Sequence, residues 1–287
     1  MGDEDPCELP DGRLVCGAHG LVRCSICCRD YNFMDDLSDS EDEDSEVNIQ
    51  NKLIPVLDPA DLFGNPMRRG TGRLFPTQFP VLRDLVPLDV FRPFVTYNKA
   101  TRWLHFVNPK QFLLFTDGAC LDNGGPKPTA GWAFVHGPGS PATSGDKPLV
   151  MSGRLERKRP FGEDSIQSSN RAELRAVIAA LRFRHWVGEG FTSVVIATDS
   201  EYVVKGAMEW AKKGIANGWK TSGKVDVKNK DLWKLLLGEV ESWEKKGLEV
   251  MLWRVPRKCN KVADGEAKKA AGEGEVVEWV DALGVNF

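Results

Sequence analysis

The chain has 287 residues, 41% hydrophobic and 28% charged, with a net charge of −3. That is enough material for one or two domains with a sizeable core. No apolar run approaches the roughly 18 residues of a membrane span, and the acidic start MGDEDPCELP lacks the apolar core of a secretory signal. The expected compartment is nucleus or cytoplasm, with no membrane partner.

Residues 1–34 hold five of the seven cysteines: Cys7, Cys16, Cys24, Cys27 and Cys28. In an intracellular chain such clustering points to metal more than to disulfides. Cys16-x-x-His19-x-x-x-x-Cys24-x-x-Cys27 offers four borderline or soft ligands for a tetrahedral zinc ion. Reduced free thiols are the alternative. A segment this short and polar folds poorly without a staple. Four protein ligands would leave no open position, so a zinc ion here implies an interaction module of unknown partner.

Residues 35–50 begin with DDLSDSEDEDSE, a like-charge block expected to be a disordered linker. Residues 51–110 carry prolines that break helices, yet Phe63, Phe75, Phe79, Phe91, Phe94 and Trp103 are too apolar to stay solvated. They predict a Pro-rich extended arm packed on the domain that follows.

From 111 to 287 the pattern is regular. FLLFTDGA, AGWAFVHG and PLVMSGRL read as strands, and 168–187 as a helix with Ser168 or Ser169 at its N-cap. TSVVIATD is a fourth strand, followed by two helices, the strand LEVMLWRVP and a last helix over NKVADGEAKKAAG. This order predicts an α/β fold with an antiparallel start and parallel crossovers. This part is mildly basic, with 26 Lys+Arg against 23 Asp+Glu, whereas the first 110 residues are acidic. Such asymmetry is compatible with nucleic-acid binding.

Two strands end in an acidic residue followed by a small one, Asp117-Gly118 and Asp199-Ser200. Glu173 and Asp264 lie early in helices. Any single carboxylate is more often surface charge. A converging set needs hard divalent cations to offset its repulsion.

The local sequences supply the missing specificity. FTDGACLDNGG at 115–125, NRAEL at 170–174, ATDSEYVV at 197–204, NGWKT at 217–221 and NKVADGEAKKAA at 260–271 resemble, in order and spacing, the ribonuclease H family of type 1. The chain looks like a eukaryotic, fungal-like member. The resemblance implies a ribonuclease H-like five-stranded mixed sheet flanked by helices, behind an irregular N-terminal extension. It implies an endoribonuclease that cuts the RNA strand of RNA–DNA hybrids with two Mg²⁺ ions, Mn²⁺ serving as substitute. Asp117, Glu173, Asp199 and Asp264 would be the catalytic carboxylates and metal ligands. Cys120, Asn123 and Asn170 would touch the hybrid near the cut. Trp219, Lys220 and Thr221 would hold the DNA strand. A monomer is expected.

Two departures stand out. The family commonly carries a His in the loop before the last helix. Here the link Val255-Pro256-Arg257-Lys258-Cys259-Asn260 is shorter and has none. Ser169 stands where a second Asn is common. The alternative reading is therefore an inactive ribonuclease H-like nucleic-acid-binding module, and a third is a related nuclease acting on other nucleic acids. All four carboxylates favour activity.

Overall fold

The computed structural model describes residues 6–9, 14–24, 26, 29–31, 66–81, 84–96, 99–139 and 147–284. The acidic run 35–46, Cys27, Cys28 and Phe63 lie outside them.

A mixed sheet organises the chain. Its centre is β8 (Gln111–Leu121), whose apolar run is buried on both faces. One edge of β8 pairs in parallel with β11 (Ser193–Thr198), and the other antiparallel with β9 (Thr129–Gly137). β10 (Leu149–Arg154) lies outside β9, and β12 (Glu249–Arg254) outside β11. These five strands match the expected order of the antiparallel meander and parallel crossovers.

The sheet is larger than five strands. β5 (Thr77–Gln78) adds to β12, and the hairpin β6 (Phe91–Val95) and β7 (Thr101–His105) joins the start of β8 through Trp103↔Leu113. All three come from the Pro-rich arm, which also forms the short helix α1 (Pro87–Val90) before β6. Burial explains the recruitment. Alternating β8 residues Phe112 and Leu114 join one apolar cluster, Leu113 and Phe115 another. The first is covered by helices. The second is covered by Phe79, Phe91 and Trp103 of the arm. Without the arm that face would meet water, at about 25 cal/mol per Å² of apolar surface.

The helical face is built by α2 (Ser169–Arg182), α3 (Glu201–Lys205), α4 (Ala211–Ala216) and α5 (Lys230–Lys245), with α6 (Lys261–Ala271) against β8 and β9. Ser168 caps α2, its hydroxyl accepting from the Arg171 amide. A π-helical turn, Gly206–Trp210, joins α3 to α4. α2 is buried along nearly its whole length although it carries three arginines. Arg171 pairs with Asp231, Arg175 with Glu156, and Arg182 with both Glu239 and Asp281. Burial alone would raise the Asp281 carboxyl, but hydrogen bonds and charge from Arg182 hold it below its ordinary value. Such pairs lose hydration on folding and regain it only through good geometry.

The N-terminal segment forms two small hairpins, β1 (Pro6–Glu8) with β2 (Leu14–Cys16), and β3 (Arg23–Cys24) with β4 (Arg29–Asp30). It sits on the sheet domain instead of standing apart. Leu14, Cys16, Cys24 and Tyr31 belong to the same apolar cluster as α2, and β4 packs on α2.

Candidate active site

Asp117 sits inside β8 opposite Ala133 and is 1% exposed. The next residue must be glycine: a Cβ at Gly118 would lie 2.1 Å from the Glu173 amide nitrogen. The backbone of α2 therefore rests directly on the strand. The Gly118 amide donates to Glu173 Oε2 at 3.1 Å. Strand and helix thus bring two buried carboxylates to adjoining residues.

Asp199 follows the end of β11. The parallel register pairs Ala197 with Phe115, so Asp199 and Asp117 stand two residues further along neighbouring strands. Past that pair the strands part. Asn260 bridges the fork: its Nδ2 donates to the Thr116 carbonyl at 2.9 Å and to Asp199 Oδ1 at 2.8 Å. Asp264 lies one turn on, its amide donating to the Asn260 carbonyl. Gly131 lets α6 approach β9, since a Cβ there would meet Ala271 N at 2.3 Å. Asp264 pairs with Arg257 at 2.7 Å and Lys268 at 2.8 Å.

Asp117, Glu173 and Asp199 therefore sit on β8 and the elements packed against it, and Asp264 lies one helical turn past the Asn260 bridge; Glu173, Asp199 and Asp264 are each held by identified donors. Aspartate and glutamate oxygens are hard donors, and the set suits Mg²⁺ or Mn²⁺ better than a thiophilic ion. Sequence reasoning placed Asn260 in a motif without giving it a role. Its task depends on two strands diverging, which no local pattern reveals. The short link after β12 forms a 3-10 turn, Arg257–Cys259, that brings Arg257 to Asp264.

The other expected contact residues fall into two groups. Asn123 is buried at the end of the β8 turn and exchanges two hydrogen bonds with Ser169, at 3.2 and 3.4 Å. This ties the turn to the first residues of α2, beside half-buried Asn170. Ser169 thus takes up the second-Asn position with its hydroxyl engaged by Asn123. Cys120 is fully buried, its thiol 3.5 Å from the Leu121 carbonyl.

The second group sits in the turn after α4. Trp219 has positive φ (61°) and is buried against Gly214, so it packs inside that turn. Lys220 is exposed and pairs with Asp226 at 2.7 Å. Thr221 closes the same turn onto Val225. Hydrogen bonds from Lys220 and Lys230 hold the Asp226 carboxyl down at about 2. Below them Tyr202, pushed up to about 12 by burial, accepts from Asn229 and Trp233 at 3.1 Å each. In the loop 156–166, Arg157, Lys158 and Arg159 each meet a glutamate, which fits a solvated loop.

Histidine takes no part in these contacts. His136 is buried at the end of β9, and its pKa is lowered to about 3 by burial and by the charges of Arg102 and Arg184. Of the cysteine set, Cys16, His19 and Cys24 come together, their ligand atoms within 4.8 Å of one another.

The RNase H family model matches residues 109–271, more than half of the chain. The chain belongs to the RNase H family. Ribonuclease H of Treponema pallidum subsp. pallidum is 42% identical over 127 residues, 43% of this chain and 69% of that protein. Ribonuclease H of Cupriavidus metallidurans is 40% identical over 127 residues, 44% of this chain and 72% of that protein. Among solved structures, LC9-RNase H1, a type 1 RNase H with the type 2 active-site motif, is 27% identical with a TM-score of 0.38, covering 56% of this chain and 72% of that one. The RNase H match encloses Asp117, Glu173, Asp199, Asp264 and Asn260. The Cys/His segment and most of the arm precede it.

Proposed function

We infer that this RNase H acts as an endoribonuclease on the RNA strand of RNA–DNA hybrids, with Asp117, Glu173, Asp199 and Asp264 as its catalytic carboxylates. The observation that carries the residue assignment is the Asn260 bridge, which locks Asp199 to the strand of Asp117 at a sheet position where α2 delivers Glu173. These carboxylates would hold divalent ions, Mg²⁺ or Mn²⁺, whose chemistry when bound would be to activate a water and stabilise the leaving oxygen of an in-line displacement.

The chain's own groups do the positioning. The Gly118 amide donates to one oxygen of Glu173 and the Asn260 amide to one oxygen of Asp199, which fixes how each carboxylate is turned. Asp264 arrives charge-compensated by Arg257 and Lys268. Arg257 lies in the link where the resemblance leads one to expect a histidine and this chain has none. A guanidinium stays protonated and donates hydrogen bonds, so it contacts phosphate oxygens and does not take up a proton. Asn123 and Asn170 lie at the β8–α2 junction, where contacts to 2′-hydroxyls would distinguish RNA from DNA; Cys120, expected to touch the hybrid, is fully buried. Lys220 offers charge to the DNA backbone, with Trp219 bracing the turn from within. We place the RNase H domain at 111–287, with the arm 51–110 completing its sheet, and propose a monomer acting in nucleus or cytoplasm.

The test is purified full-length protein on an RNA–DNA hybrid, double-stranded RNA and double-stranded DNA, each with Mg²⁺ or EDTA. Metal-dependent cutting of the hybrid's RNA strand alone is expected. A folded protein inert with both Mg²⁺ and Mn²⁺ would replace this reading with a hybrid-binding module.

A further inference from the structure

Outside the nuclease site, the two small N-terminal hairpins bring three soft or borderline ligands to one point. The chain turns sharply after β2: the Cys16 carbonyl accepts from the amides of His19 and Gly20, and Gly20 takes positive φ (63°). This folds His19 back over Cys16. The Cys16 amide donates to the Leu21 carbonyl, and the chain then enters β3, which delivers Cys24. Both sulfurs lie 3.5 Å from the same atom, His19 Nδ1.

That geometry is poor as hydrogen bonding and good as coordination. A ring nitrogen carries either one lone pair or one proton, so it serves one sulfur well and not two. Zn–S bonds of about 2.3 Å and Zn–N bonds of about 2.05 Å at tetrahedral angles set an S···N edge of about 3.5 Å. The two thiols are buried, at 2% and 0% exposure, while His19 is open to solvent. A thiol pair hidden in the protein with an imidazole closing it from outside is a donor set that one zinc ion satisfies.

We propose that Cys16, His19 and Cys24 bind a structural zinc ion, and that this ion fastens the N-terminal segment onto the helix that carries Glu173. Cys27, the fourth member of the expected set, lies outside the described residues. The fastening is visible on both sides of the site. Leu14, Cys16, Cys24 and Tyr31 share the apolar cluster of α2. The Tyr31 amide donates to the Val22 carbonyl at 2.7 Å, closing the segment after its last hairpin. Arg23, next to the ligand Cys24, reaches the β8 turn: its Cδ would lie 3.4 Å from a Cβ at Gly124. The zinc-held segment thus abuts the turn that presents Asn123.

With so few apolar residues of its own, the segment gains its order from the metal and from docking. Binding energy at such sites is folding energy, because the ligand set does not pre-exist in the unfolded chain. Its role is structural, and it takes no part in the phosphodiester chemistry.

The experiment measures metal content of the full-length protein, so its outcome is independent of whether hybrids are cut. Protein purified without chelator and dialysed against Mg²⁺ buffer is expected to retain about one zinc per chain. Cys16→Ser, His19→Ala and Cys24→Ser should each lower that content at least about tenfold, while Cys259→Ser keeps it. Because these variants could also unfold, the wild-type chain is exchanged with Co²⁺. Thiolate charge-transfer absorption and the intense visible bands of tetrahedral cobalt are expected. A folded wild-type protein that holds no zinc and gives no cobalt–thiolate spectrum overturns the proposal, as does full zinc content in all three ligand variants.

Discussion

The side-chain amide of Asn260 donates to the Asp199 carboxylate at 2.8 Å and, from the same nitrogen, to the main chain just before Asp117. One group thereby sets the spacing between two strands and the orientation of the Asp199 carboxylate. Asn260→Ala is expected to lower the single-turnover cleavage rate about 10- to 100-fold, the value of a hydrogen bond to a charged group. Asn260→Asp should be worse, because it sets an acceptor against two acceptors. Rates measured across an Mg²⁺ titration check this. A loss that high Mg²⁺ restores fits positioning of a metal ligand, whereas an unchanged rate removes Asn260 from the site.

Asp117→Asn should lower hybrid cleavage by several orders of magnitude with the fold intact. The substitution keeps the shape and removes the charge that draws divalent ions to a buried position. Thermal melting is expected to show equal or higher stability, since one member of a crowded acidic set has been neutralised. Near-wild-type cleavage by folded Asp117→Asn would refute the carboxylate assignment.

Stability should fall with acid in a way that His136 shapes. Its folded pKa, about 3, lies below the ordinary 6.5. The unfolded chain therefore takes up a proton below about pH 6.5 that the folded chain refuses until about pH 3. The contribution is constant above that window and declines as pH falls through it, by about 2 kcal/mol between roughly pH 6.5 and 5. His136→Phe should flatten that part of the profile in denaturant melts at about pH 7, 6 and 5. An identical slope in the two proteins would mean that His136 protonates without resistance.

Arg182 joins α2 to α5 through Glu239 and to the C-terminal tail through Asp281. Arg182→Ala leaves a buried carboxylate without its cation and is expected to cost about 3–5 kcal/mol. Arg182→Ala with Glu239→Leu should recover part of that loss, because the stranded charge is gone. Urea melts of the single and double variants decide it; equal destabilisation by both would show that volume, not charge, matters there.

Lys220→Ala should weaken hybrid binding more than it slows chemistry. The side chain is exposed and its identified partner is Asp226, not one of the four site carboxylates. Losing one phosphate contact should make the salt dependence of binding shallower by roughly one unit of slope or less. Binding titrations at several salt concentrations, set beside single-turnover rates, separate the two effects. An unchanged slope with a slower chemical step would move Lys220 from binding to folding or catalysis.

The five central strands and the helices from 169 onward were legible because their signals are local: apolar runs for β8 and β11, helical spacing for α2 and α5. Motif spacing named the four carboxylates; the strand register sets Asp199 beside Asp117, and the close approach of α2 at Gly118 adds Glu173. Three features escaped. The arm read as extended chain, because its many prolines hide strands as short as Thr77–Gln78 and because a second apolar sheet face becomes visible only once the sheet exists. The buried pairing of the α2 arginines was not legible, since their partners Glu156, Asp231, Glu239 and Asp281 lie 19 to 99 residues away in the chain and no local pattern pairs them. Trp219 looked like a substrate contact, whereas its positive φ turns the ring inward against Gly214.

Gly118 has a consequence for how this site can change. With the helix backbone 2.1 Å from where a methyl group would sit, even alanine would wedge the Glu173 helix away from the strand and pull the two acidic groups apart. The distance between Asp117 and the helix of Glu173 is therefore gauged by a hydrogen atom, and position 118 tolerates no added bulk at all.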